Sequence, residues 1–157
     1  MRTIRRRRLE RKTDYKARFG LLKSQYPRLI ARRTNRYVVV QIIETNKAQD
    51  KIVAGLTSKI LLEKGWPKTS IGSLKNKTAA YLTGFLLGKM AQKKDIKEVV
   101  FDIGMHRNVH KSRLYAVLKG AIDSGLTIAH NPDVLPSEKD IESNDKYKPI
   151  MAKIIKE

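Results

Sequence analysis

Cysteine is absent from the 157 residues, which excludes disulfides and thiolate metal sites and suits a reducing compartment. Acidic residues are scarce: 15 Asp and Glu stand against 34 Lys and Arg, for a net charge of +19. Long apolar runs are missing too. None approaches the roughly 18 residues that a membrane span requires, and the N-terminus carries charge where a secretory signal needs an apolar core. The chain therefore reads as cytoplasmic, with no membrane partner. It has no P-loop, no GxGxxG, no nucleophile elbow and no internal repeat, so no enzyme, cofactor or small-molecule substrate is expected.

What is present is a globular composition with a lopsided charge. A hydrophobic fraction of 41% beside 31% charged residues suits one domain, and the length supports a single core plus an arm or tail. The first 36 residues hold 14 Lys and Arg against Glu10 and Asp14, a net +12, while the other 121 carry only +7. The densest run is Arg5-Arg6-Arg7-Arg8-Leu9-Glu10-Arg11-Lys12-Thr13-Asp14-Tyr15-Lys16-Ala17-Arg18. Packed guanidinium groups repel one another, so such a run has low energy only in open water or against a polyanion. With a pI near 10.3, the asymmetry points to nucleic acid first and an anionic membrane second.

The expected architecture is a single α/β domain. It has a mixed sheet of three antiparallel strands, a βαβ crossover to a fourth strand, helices packed on the sheet and a basic N-terminal arm. Residues 1–26 form the arm and a short helix, 27–136 the core and 137–157 a tail. Residues 1–12 are expected to be disordered alone, because like charges oppose compaction. Thr13 or Asp14 can cap a basic amphipathic helix with Tyr15, Phe19, Leu22 and Tyr26 on one face, closed by Pro27. Strands are predicted at Leu29–Thr34, Tyr37–Ile43 and Lys51–Leu56, the first two joined at Asn35-Arg36 and the last two by a polar link, Thr45–Asp50. Thr57 or Ser58 opens a short helix to Lys64 that Gly65 stops.

Asn76 caps the strongest predicted helix, in which Ala80, Gly84 and Gly88 make a ridge that lets a backbone lie close on the sheet. Glu98–Gly104 reads as a central strand buried on both faces. A loop from Met105 to Lys111 leads to a helix from Ser112 to Ser124 with Gly125 as its stop. Leu126–His130 can add an edge strand, and Tyr147–Lys156 a terminal amphipathic helix.

The strand and helix order is shared with metal-dependent nucleases of RNase H-like topology, but Asp102 alone cannot seat a metal pair. His106 and His110 lack a third ligand nearby. A binding surface remains. Arg32, Arg33, Asn35 and Arg36 gather at one strand end, where Arg forks match phosphates, and Tyr15, Tyr37 or a loop His can stack on unpaired bases. Asn76, Lys77, His106, Arg107, Lys111 and Arg113 are further RNA-contact candidates. Structured RNA suits this distribution better than duplex DNA, because no helix has Arg and Asn at recognition positions. A generic nucleic-acid-compacting protein is the remaining alternative.

Arg6 to Tyr15 resembles the RRREGKTDY opening of the archaeal and eukaryotic L-eighteen ribosomal proteins. The likeness continues in family order through Arg33-Thr34-Asn35-Arg36, Ala79-Ala80-Tyr81-Leu82-Thr83-Gly84, Asp102-Ile103-Gly104 and Leu118–Leu126, over roughly residues 5–136. The resemblance implies a structural constituent of the large ribosomal subunit that binds 5S rRNA and helps attach it to the large rRNA in the central protuberance. The partners it implies are 5S rRNA, large-subunit rRNA, the L-five-type 5S-binding protein and other large-subunit proteins. Its RNA-contacting arm corresponds to Arg5, Arg6, Arg7, Arg8, Arg11, Lys12, Thr13, Asp14, Tyr15, Lys16 and Arg18, and its strand-end contacts to Arg32, Arg33, Asn35 and Arg36. Two positions depart from the family pattern. Leu9 stands where an acidic residue is common, and Arg11 where Gly is frequent. The absence of the eukaryotic extension and inserts suits the archaeal type.

Overall fold

Glu10 and Asp14, the two acids among the arm's cations, organise the start of the chain in the computed structural model, which describes residues 3–46, 49–142 and 145–156. Glu10 accepts from Arg6 Nε at 2.7 Å and pairs with Lys12 Nζ at 2.8 Å, holding one helical turn, α1 (Arg6–Leu9), where disorder is expected. Such exposed pairs are weak supports. Asp14 caps α2 (Tyr15–Leu22) by accepting the backbone N–H groups of Lys16 and Ala17. The helix ends four residues before Tyr26, and none of its residues is buried. It does not press an apolar face onto the core.

β1 (Arg28–Arg33), β2 (Val38–Asn46) and β3 (Gln49–Thr57) form the antiparallel meander, with β-branched residues filling the pleated surface. Thr34 Oγ1 accepts from the Tyr37 N–H at 3.0 Å to close the first hairpin. Thr45 and Asp50, expected in a link, are paired strand residues, while Lys47 and Ala48 lie outside the described residues. A 3₁₀ turn over Ser58–Leu62 replaces the expected short helix, and Gly65 ends the segment at φ +101°.

α3 (Lys77–Gln92) begins where Asn76 Oδ1 accepts the Ala79 N–H at 2.7 Å. β4 (Val100–Asp102) is shorter than predicted and lies at the edge, in the order β3-β2-β1-β4, parallel to β1. β2 already holds the other side of β1, so the crossover through α3 passes two strands and reaches the free edge. Val100 and Phe101 are accordingly only half-buried. Of the edge strand expected at 126–130, a single bridge forms, Thr127 to Glu98.

The small-residue ridge of α3 faces α4 (Arg113–Asp123) and not the sheet. A Cβ on Gly84 would collide with the Val117 carbonyl, and one on Gly120 with the Tyr81 carbonyl, so the two helices meet backbone to backbone. Together they cover one face of the sheet, where Leu29, Ala31, Val38, Val40 and Ile42 are fully buried. Fully burying each of the Leu, Val and Ile side chains stabilises the fold by about 1.5–3 kcal/mol.

The tail folds back onto this layer. α5 (Glu138–Ile141) starts with a Ser137–Asp140 capping box, and the Ile141 carbonyl accepts from buried Thr78 Oγ1 at 2.6 Å. Tyr147 stacks on Trp66 with ring centroids 4.1 Å apart and planes 9° from parallel. α6 (Lys148–Lys156) then buries Ile150, Met151 and Ile154. Among the described residues no helix is long and apolar enough to cross a membrane.

Candidate nucleic-acid interface

Alternation along β1 sorts its side chains onto two faces. Leu29 and Ala31 join the helix-covered core, whereas Arg28, Ile30 and Arg32 border a cavity of about 540 Å³ on the opposite face. The arm supplies Arg7, Lys12, Thr13, Asp14 and Arg18 to the same cavity, and the end of β4 supplies Asp102 and Gly104. The arm and the strand end, predicted separately, thus meet.

Arg28 is the joint between them, and sequence reasoning missed it. It is only 2% exposed, with Nη1 donating to Asp102 Oδ2 at 2.9 Å and Nη2 to Asp50 Oδ1 at 2.9 Å and Thr45 Oγ1 at 3.1 Å. Asp50 Oδ2 in turn accepts from Arg18 Nη2 at 2.8 Å, so a chain of charges ties α2 to the sheet. Burial alone would raise the Asp50 carboxyl, but the Thr45 hydroxyl and the Arg18 and Arg28 guanidinium groups outweigh it and hold it below the usual aspartate range. The available signal was an Arg abutting the apolar run Leu29-Ile30-Ala31.

Asp102 is fully used as well: its second oxygen accepts the Gly104 N–H at 2.7 Å. Among the described residues no three His, Cys, Asp or Glu gather where a metal could sit.

Arg32 lies over Gly104, whose φ of +59° and missing Cβ leave room for the guanidinium. Its buried Nη1 has no hydrogen-bond partner, leaving an unmet demand for an acceptor. Arg33, one residue on, borders a second cavity of about 510 Å³ with Lys77, His106, Arg107, His110, Lys111 and Arg113. The Arg33 N–H donates to His106 Nε2 at 3.4 Å. Burial, with Arg32 and Arg33 close by, lowers the His106 pKa and favours the neutral imidazole that can accept the Arg33 N–H. The first turn of α4 opens into the same cavity, and Ser112 Oγ, buried and unpartnered, makes no capping bond. Free N–H groups at a helix start favour an anion.

Asn35 and Arg33 also border a smaller hollow with Lys75 and Arg113. Lys75 Nζ donates to the Asn35 carbonyl at 2.9 Å, a site cation that sequence reading missed because only the path into α3 brings it to the hairpin. Arg36 is exposed in that hairpin turn. Asn76 spends its side-chain oxygen on the α3 cap, and Lys77 pairs with Asp140 at 3.2 Å. Within the arm, Arg5 lies 4.7 Å from the centroid of the Tyr15 ring, and Arg8 and Lys16 border an outer groove with it. Arg11 takes φ +51°, the left-handed conformation that glycine adopts most readily.

The family model of "Ribosomal large subunit proteins 60S L5, and 50S L18" matches residues 1–99 and 89–131, which include the arm, the hairpin and the loop before α4. Large ribosomal subunit protein uL18 of Korarchaeum cryptofilum is 47% identical over 133 residues, covering 85% of this chain and 66% of that protein. The uL18 proteins of Aeropyrum pernix and Methanothermobacter thermautotrophicus are each 43% identical, covering 85% and 87% of this chain and 61% and 69% of their own lengths. The chain thus spans about two thirds or less of the length of the first two relatives. A matched arm, hairpin and loop in one ordered series, on the fold described above, make this chain a member of the family of large-subunit ribosomal proteins 60S L5 and 50S L18.

Proposed function

We propose that the chain is a non-enzymatic constituent of the large ribosomal subunit that binds 5S rRNA and helps attach it to the large rRNA in the central protuberance. The observation that carries the proposal is the end of β1. Arg32 opens onto the arm cavity and Arg33 onto the loop cavity, so two cationic surfaces with different shapes flank one rigid strand. Two such surfaces suit a protein that touches two RNA segments at once, here 5S rRNA and large-subunit rRNA. The open first turn of α4, with no capping bond from Ser112, lacks an acceptor of the kind that phosphate oxygens provide. Neighbouring proteins, including the L-five-type 5S-binding protein, complete the expected surroundings on the cytoplasmic ribosome.

The test is a titration with folded 5S rRNA from the organism of one of the archaeal relatives, against tRNA and duplex DNA of matched length, across a salt series. Shape-specific binding predicts a preference for 5S rRNA that persists at high salt. Equal affinities that collapse together with salt would reduce the protein to a polycation on a stable domain and contradict the proposal.

A further inference from the structure

α2 leaves an apolar face uncovered. Tyr15, Phe19 and Leu22 follow one another at helical spacing, and with Ile4 of the arm they border a groove of about 1020 Å³. Phe19 is 63% exposed and Ile4 61%. An eight-residue helix with no buried residue is marginal in water, so the surface awaits a partner that orders it.

The rim of the groove states the partner's chemistry. Arg5, Arg7, Arg8, Lys16 and Arg18 border it, and among the described residues no carboxylate does. Lys23 Nζ sits 4.8 Å from the Phe19 ring centroid, and Arg5 covers Tyr15, so cations and aromatic faces alternate along the surface. A ligand that is flat and apolar in the middle and anionic on both sides matches that pattern. A nucleotide with an unpaired base has this form, because every base offers a stacking face and each flanking phosphate a charge. An acidic protein segment would match the charge but would leave the two aromatic faces without a planar partner.

We propose that Phe19, framed by Tyr15, Leu22 and Ile4, is a stacking platform for an unpaired base of the bound RNA. The inference rests on the rRNA-binding reading and adds Phe19 to the base-contact candidates on the arm. Phe19 carries no charge and no core contact, so its removal should leave both the fold and the number of released counterions unchanged.

The experiment uses the full chain and 5S rRNA in which unpaired adenines are replaced one at a time by 2-aminopurine, whose fluorescence falls on stacking. Phe19→Ala should weaken binding by about 5- to 100-fold, the range expected for losing one base–aromatic stack, with the slope of log affinity against log salt unchanged. Phe19→Tyr should restore affinity, Phe19→Leu should not, and quenching at one or two positions should vanish in Phe19→Ala. Unaltered affinity in Phe19→Ala would overturn the proposal and reassign the face to a protein neighbour. Full rescue by Phe19→Leu would overturn it as well, by reducing the contact to apolar area. If the wild-type chain fails to bind 5S rRNA at all, the functional reading falls and this inference with it, whereas wild-type binding indifferent to Phe19 removes this inference alone.

Discussion

On one face of the sheet, Leu29, Ala31, Val38, Val40 and Ile42 are sealed beneath two helices that touch backbone to backbone; on the other, Arg28, Ile30 and Arg32 meet an arm with no buried residue in its helices. The helix side is held by burial and close packing, which need nothing outside the chain. The arm side is held by charge, through Arg18, Asp50, Arg28 and Asp102, and it presents more cations than the chain can neutralise. Burial and close packing therefore hold one face and charge holds the other, with Arg28 tying the arm to the sheet.

That division can be broken most forcefully at Arg28. Arg28→Met leaves Asp50 and Asp102 without their buried counterion, so unfolding free energy should fall by about 3–5 kcal/mol, measured by chemical denaturation. Adding Asp102→Asn should recover part of the loss, because the stranded charge is the main penalty. A variant as stable as wild type would show that the two faces are independent.

On the helix side, Gly84→Ala forces a methyl group against the Val117 carbonyl. Overpacking there should cost about 3 kcal/mol, while affinity for 5S rRNA, measured where the variant is still folded, should stay within twofold of wild type. A selective loss of RNA binding would mean that the spacing of the helix pair sets where Arg113 and the first turn of α4 stand in the loop cavity.

Acid offers a milder probe of the arm side. The Asp50 carboxyl is held below the ordinary aspartate value near 3.9, so its contribution is complete above about pH 4 and is lost as pH falls through the lowered value. Amide exchange across Tyr15–Leu22 should accelerate on acidification before the core strands open, and Asp50→Asn should show fast exchange already at pH 7. Simultaneous opening of arm and core would join what the packing separates.

The smallest expected effect is at Arg11. Its φ of +51° carries about 1 kcal/mol of left-handed strain for a residue with a side chain. Arg11→Gly should relieve that strain and leave melting of the domain unchanged. It should also lower the salt slope of RNA binding by about one if Arg11 meets a phosphate.

The packed face was largely legible in the sequence; of the charged face, the strand-end cluster of Arg32, Arg33, Asn35 and Arg36 was legible by position and the arm only by charge density. Asn76 as a cap, Gly65 and Gly125 as stops and the alternating apolar strand residues all announce local conformation, and each is found in that role. The glycine ridge was read correctly as a close approach but assigned to the sheet, because spacing does not reveal which neighbour comes near. β4 was expected at the centre because Val99, Val100 and Phe101 are apolar, yet strand order depends on how far a crossover reaches. Arg5 to Arg18 advertise a polyanion partner by charge density alone. The way Arg32 and Arg33 divide between two cavities follows from strand alternation, but only once the arm and the loop are known to lie on opposite sides. Lys75 and Arg28 gave least notice, since their roles come from partners 40 and 74 positions away.

The most direct test of the division is to measure thermal unfolding and 5S rRNA affinity side by side for the triple variant Arg6→Ala, Arg7→Ala, Arg8→Ala. Loss of three phosphate contacts should lower affinity by about 100-fold or more near physiological salt and flatten the salt slope by nearly three, with the melting temperature within about 2 °C of wild type. A variant that melts much earlier, or one that binds 5S rRNA as tightly as wild type, would contradict the assignment of the arm to RNA.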